Sequence, residues 1–216
     1  MLLQIFYNTV INYLLFNFVY YLTSGVLFVI DYFGFFISNK IQNTQEYLDY
    51  YKKCLPCVLV NTLLYVLLPC SILGYYEYYQ TKLFTVRDCI FDLTAAVILT
   101  DIFFYTVHRI LHLPYFYAVF HKQHHEIVAP VGLSAVYTTL IDFYIGNIFP
   151  VFLPMYILDA HVITIRIWLV IITLNTVLFA HSGFGIADYH DKHHSLFTKN
   201  YGTNLFMDKL FHTNYD

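Results

Sequence analysis

The sequence predicts an all-α integral membrane bundle of about four to five apolar helices with a histidine-rich metal site at its cytosolic face. Three observations carry this. Hydrophobic residues make up 59% of the 216 residues and charged residues 12%, against about 25% charged in an ordinary soluble domain. Long blocks contain no Asp, Glu, Lys or Arg, and the mean hydropathy is +0.58. Histidine is unevenly placed: none of the eleven precedes His108, and ten lie between His108 and His194. This composition excludes a solvated disordered chain and a secreted disulfide scaffold. A net charge of −3 leaves no basic footprint for nucleic acid. Strand patterning is absent, and an open sheet could not span lipid. The 22 Tyr and 21 Phe accompany frequent Ile and Asn, so codon bias explains them better than an aromatic binding cavity does.

Along the chain, 1–30 is uncharged and exceeds the roughly 20 residues needed to cross hydrocarbon. It lacks the basic start and small-residue cleavage site of a signal peptide, so it reads as a retained anchor. Residues 38–53 are polar and form a connection outside the membrane. The second uncharged block is 54–76, followed by an interfacial stretch, 77–92. The third apolar stretch, 93–107, contains Asp101 and leads into His108. A fourth, 127–158, carries Asp142 mid-way and serves as one kinked span or a re-entrant pair. The fifth, 167–187, contains His181. No internal repeat or Gly/Ser linker divides the chain, so it reads as one folded unit with helices and connections over 1–100 and a catalytic region over 101–216. Lys and Arg flanking the apolar blocks (among them Lys52, Lys53, Lys82, Arg87, Arg109, Lys122 and Lys192) place the histidine segments on the cytosolic side.

Cys54 and Cys57 form a lone C-x-x-C without the second pair or nearby histidines of a structural zinc site, so the thiols read as packed residues. The chemistry lies in three histidine boxes. His108 and His112 are four apart, one above the other on a helix face. His121-Lys122-Gln123-His124-His125 and His190-Asp191-Lys192-His193-His194 repeat that spacing and add an i+3 member. Neutral imidazole ligates zinc, copper, iron and nickel. Eight imidazoles exceed the needs of one ion but suit two neighbouring ions. His181 ends an apolar run, where an unpartnered ring is costly, and is the ninth candidate ligand. His161 and His212 read as capping or interfacial residues. A ligating His usually donates its other N–H to a carboxylate or carbonyl, and Asp101, Glu126, Asp188 and Asp191 lie near the boxes.

These boxes resemble those of the fatty acid hydroxylase and sterol desaturase superfamily, over roughly 101–213. The run His125-Glu126-Ile127-Val128-Ala129-Pro130-Val131-Gly132-Leu133 is close to the pattern of C-4 methylsterol oxidases. Ala180-His181-Ser182-Gly183, Asn200-Tyr201-Gly202 and Asp208-Lys209-Leu210-Phe211 match further family elements. The chain departs from the pattern at Thr106, Val136, Thr139-Leu140, Met207 and His212, and only eight residues separate His181 from His190. The resemblance implies two iron ions, dioxygen as co-substrate, and electrons from cytochrome b5 or its reductase. It also implies a bilayer lipid as substrate and the endoplasmic reticulum as location. No G-x-G-x-x-G element is present, and no bound haem, flavin or dinucleotide is expected. The implied activity is C-4 methylsterol oxidation, with fatty acid hydroxylation or C-5 sterol desaturation as alternatives. A non-catalytic metal-binding protein or transporter is the alternative of another class; a transporter would carry its ligands mid-helix along an ion path.

Overall fold

The structure, a computed structural model, describes residues 1–42 and 46–215. It is helical, with no strand among the described residues and one isolated bridge between Lys40 and Phe184. Helices α1 (Leu2–Tyr32), α2 (Tyr47–Tyr79), α3 (Val86–Leu111) and α5 (Val162–Ala180) are long and apolar enough to cross a membrane. Between α3 and α5 lies the shorter α4 (Phe149–Ile157), entered through a widened π-type turn, Asp142–Ile148. Two short helices, α6 (Asp188–Leu196) and α7 (Leu205–Leu210), close the chain.

Helices α1, α3 and α5 run towards one end of the bundle, and α2 and α4 run away from it. Every box therefore falls at that same end. Helix α1 packs on the second half of α2 and on α5. A Cβ at Gly74 would lie 2.5 Å from Thr9 Oγ1 and 2.8 Å from Thr9 N, so only glycine permits this approach of α1 and α2. At the opposite end, Arg166 Nη2 lies 2.7 Å from Glu77 Oε2, and Asn12 bridges both side chains. These polar groups satisfy one another across three helices, as apolar surroundings require.

The boundaries differ from the sequence expectation for local reasons. The polar connection after α1 is shorter than 38–53, because α2 already begins at Tyr47; its part at 43–45 lies outside the described residues. Only 80–85 separate α2 from α3, so most of 77–92 is helical. Thr85 Oγ1 accepts the Asp88 N–H at 3.0 Å and starts α3 seven residues before the apolar run. Helix α5 starts early because the His161 ring accepts the Ile163 N–H at 3.1 Å, a capping role. It stops at His181, short of 187. The stretch 127–158 divides: 127–139 is a mostly buried loop holding one 3-10 turn, Gly132–Val136, and the longer helical part begins at Leu140. Tyr20 Oη donates to the Leu133 carbonyl (2.7 Å) and Asn61 Nδ2 to those of Val136 (2.8 Å) and Thr138 (3.0 Å), so α1 and α2 satisfy carbonyls of this segment. Lys82 and Arg87 lie at the end opposite the histidines.

Candidate metal centre

The three boxes meet, and His181 joins them. Nine histidines form two adjacent groups, in each of which the candidate ligand nitrogens lie within 4.8 Å of one another. One holds His108, His112, His121, His125 and His193; the other holds His124, His181, His190 and His194. All are buried except His112, which is half-buried. The division follows from helical geometry. At 100° per residue, positions i and i+4 point nearly the same way, while i+3 points about 100° from i+4. The second box, where a π-type turn (Tyr117–His121) meets a 3-10 turn (His124–Glu126), divides in the same sense: His121 and His125 serve one group and His124 the other. In the third box His190 and His194 stay together and His193 crosses over. Boxes two and three each bridge both groups.

The outward ring nitrogens decide the tautomers. His108 Nδ1–H donates to the Tyr201 carbonyl (2.7 Å), His193 Nδ1–H to that of Lys199 (2.7 Å) and His181 Nδ1–H to that of Thr176 (2.8 Å). His121 Nδ1–H donates to Asp142 Oδ2 at 2.8 Å. A neutral ring donating from Nδ1 carries a bare lone pair on Nε2. His108 Nε2 and His121 Nε2 lie 3.0 Å apart, and His193 Nε2 lies 3.2 Å from His125 Nε2. The inward Nε2 atoms of His108 and His193 therefore offer lone pairs, with other ring nitrogens at ligand-to-ligand spacing. Nitrogens bound at about 2.1 Å and a right angle to one ion lie about 3 Å apart, so the donor set fits a transition metal in each group. His112 Nε2 is likewise buried without a hydrogen-bond partner.

Burial keeps seven of these rings neutral. It depresses His112 to about 3 and His181 to about 4, and holds His124, His125, His190, His193 and His194 well below the usual histidine value, with neighbouring imidazoles adding to the effect in these five. Neutral imidazole is the ligating form. The unfolded chain, with histidines titrating near about 6.5, takes up protons first on acidification. The stability contributed by neutral burial is therefore present above about pH 6.5 and lost as pH falls towards the folded values. Metal-free protein in detergent should lose stability between about pH 6.5 and 4 with a slope above one proton, about 1.4 kcal/mol per pH unit. Melting temperatures at stepped pH check this; a flat profile contradicts it.

The four carboxylates expected beside the rings do not touch them. Asp101 accepts the N–H groups of Thr203 (2.8 Å), Asn204 (2.9 Å) and Met207 (2.9 Å). It thereby fixes the loop that carries Tyr201, whose carbonyl holds His108. Glu126 pairs with Lys53 (2.9 Å) and Tyr137 (3.1 Å), Asp191 accepts from Gln42 (2.7 Å), and Asp188 is exposed. Asp191 is pushed up to about 6, chiefly by burial. The carboxylate that does meet a ring is Asp142, 1% exposed and 21 residues from His121. Its signal in the sequence was a lone acid inside an apolar stretch. Thr139 donates to the Phe120 carbonyl (2.8 Å) and accepts from Asp142 N (3.3 Å), so it supports the same corner.

After His181 the chain turns at Gly183, with φ +71°, and a Cβ there would stand 2.9 Å from the Pro130 carbonyl. Gly183→Ala should destabilise the protein by about 1–3 kcal/mol, the cost of such a strained position. Thermal unfolding checks it; an unchanged midpoint contradicts it.

From the histidines a cavity of about 730 Å³ runs into the bundle, with His108, His124 and His190 at one end and Leu73, Leu153 and Tyr156 far along it. Its walls are mostly apolar, as a lipid chain or ring system would require. The run Ala129–Leu133 is not on these walls; Gly132 packs between Leu27 and Val177.

The family model for fatty acid hydroxylase matches residues 93–213, a span that contains all nine histidines. The chain belongs to the fatty acid hydroxylase family. Fatty acid hydroxylase ahd1 of Mycosarcoma maydis is 33% identical over 177 residues, covering 76% of this chain and 45% of its own. Very-long-chain aldehyde decarbonylase GL1-11 of Oryza sativa is 30% identical over 238 residues, 96% of this chain and 86% of its own. A Dictyostelium discoideum protein, named as a proposed methylsterol monooxygenase, is 28% identical and covers 90% and 80%. Against the first relatives it matches, this fatty acid hydroxylase family member spans less than half their length, 45% and 38%. No solved structure matches it. The hydroxylase and monooxygenase among these relatives are named for oxidative reactions, and the histidine groups here could bind metal.

Proposed function

We propose that the protein is a membrane-bound di-iron oxygenase that oxidises a lipid C–H bond, its substrate a sterol bearing a C-4 methyl group. The observation that carries this is the pair of histidine groups, bare nitrogens inward, at the end of an apolar cavity inside a membrane bundle. A saturated C–H bond yields to no acid, base or ordinary nucleophile, and iron held by the nine histidines supplies the redox chemistry it requires. The balance is a C–H bond, dioxygen, two electrons and two protons, giving a C–OH group and water.

The chain's own residues have separable tasks. The Tyr201, Lys199 and Thr176 carbonyls and the Asp142 carboxylate hold four rings in the ligating tautomer. The cavity walls orient the lipid and exclude water. Electrons come from cytochrome b5 or its reductase docking outside the bilayer. Eight of the eleven Lys and Arg lie at the histidine end, all but Lys82, Arg87 and Arg166, which supports a cytosolic site. The endoplasmic reticulum is the proposed membrane.

One observation favours a second substrate, a long acyl chain: the methylsterol-like run Ala129–Leu133 packs behind the site and selects nothing in the cavity. Iron-loaded protein given reduced cytochrome b5, dioxygen and each lipid class separates the two. Oxidation of the methyl sterol is expected. Oxidation of acyl chains alone overturns the substrate, and no dioxygen-dependent turnover of either favours a non-catalytic metal-binding protein.

A further inference from the structure

The connection between α1 and α2 contains a lysine that the proposed chemistry does not use. The Lys40 side chain is 1% exposed and its Nζ lies 2.7 Å from Asp31 Oδ1, in a side chain equally buried. The same Nζ donates to the Ser182 carbonyl at 2.8 Å and stands 4.1 Å from the Phe184 ring centroid and 4.6 Å from that of Tyr47. Ile41 N–H donates to the Gly183 carbonyl at 2.9 Å, so backbone pairing continues the contact. Tyr51 Oη fixes the other Asp31 oxygen at 2.9 Å. One residue further, Gln42 Nε2 reaches both the Val128 carbonyl and Asp191 Oδ1 at 2.7 Å, joining the chain after the second box to the third.

Burying this ion pair costs several kcal/mol per ion before Coulomb attraction offsets it. Neutralising Asp31 alone would not need the lysine to end on a carbonyl. That carbonyl belongs to the residue after His181, whose ring is tethered on its other side to Thr176 O and whose Nε2 lies 3.4 Å from His124 Nε2. The peptide that carries His181 is thus held from the N-terminal half of the chain.

We propose that Lys40 is a positioning residue of the second histidine group: it grips the Ser182 carbonyl and so aims His181 at the metal shared with His124, His190 and His194. This rests on the reading of the histidines as ligands. It makes the connection after α1 a working part of a centre whose ligands all lie beyond residue 107.

The test is a cobalt(II) titration of the full chain in detergent, following two binding events per molecule. Lys40→Met should weaken one site about 10- to 100-fold, the usual effect of losing a group that orients a ligand, and leave the other unchanged. In a His181→Ala background it should add no further loss, since Lys40 acts only through that ring. Equal weakening of both sites, losses that add to His181→Ala, or two unchanged affinities would each overturn the proposal. Should Lys40→Met not accumulate, Asp31→Leu/Lys40→Met removes both charges and fills their space. Weakening of the one site is again expected, and recovery of both affinities would show that Lys40 only neutralises Asp31. A wild-type chain that binds fewer than two ions overturns the two-metal reading, and this inference falls with it.

Discussion

Replacing His124 by Ala should abolish lipid oxidation while leaving substrate binding in place. His124 is the member of the second box that turns away from His121 and His125 and joins His181, His190 and His194. Its loss reduces the smaller group from four imidazoles to three and leaves the five-histidine group complete. Metal content should fall from two ions per chain towards one, and kcat to background, because the oxidant is no longer made. Lipid affinity should change little, since the cavity wall beyond His124 is apolar and unaltered. Metal analysis, turnover and lipid binding on the same preparation check this. A variant that keeps both ions and only raises KM would remove His124 from the ligand set.

Asp142→Leu has the next largest expected effect. Its Oδ2 is the acceptor for His121 Nδ1–H, inside a wall where no water replaces it. Without the carboxylate the ring keeps a buried, unpaired N–H and is free to change tautomer, turning a protonated nitrogen towards the metal. Affinity of the five-histidine group should fall about 10- to 100-fold, with kcat/KM following at limiting iron. Asp142→Asn retains an acceptor oxygen and should lose less. Metal titration of the two variants distinguishes these outcomes; equal affinities in both and in wild type would contradict the role.

The boxes were legible because ligation uses local periodicity. An i, i+4 pair faces one way whatever the rest of the chain does, so His108 with His112 and His190 with His194 announced themselves. His181 was legible for a different reason, as an imidazole at the end of a hydrocarbon-length run. The partners of the rings were not legible. Three of the four are backbone carbonyls, of Tyr201, Lys199 and Thr176, which no residue type marks. Nearness in sequence favoured Asp101 and Asp191, whereas the chain folds Asp142 back from another segment. Asp101 still reaches the centre, one step removed, through the loop it ties down.

The spans were read correctly as apolar blocks and less well at their ends, where single caps decide. Thr85 and His161 each add turns of polar or mixed sequence that hydropathy assigns to connections. The stretch 127–158 misled most. Its first half is as apolar as a membrane span, yet it is a loop with one 3-10 turn packed against α1 and α2, its carbonyls satisfied by Tyr20 and Asn61. Burial in protein and burial in lipid select the same side chains, so composition alone does not separate them. The family elements of this segment therefore act as packing behind the histidines.

The most direct measurement is incorporation of isotopic dioxygen. Iron-loaded protein in bilayer vesicles, given reduced cytochrome b5 and a C-4 methyl sterol under ¹⁸O₂, should yield an oxidised sterol carrying the heavy oxygen, and none after the iron is removed. Protein that binds iron at the histidine groups but places no label in either the sterol or an acyl lipid would contradict the account.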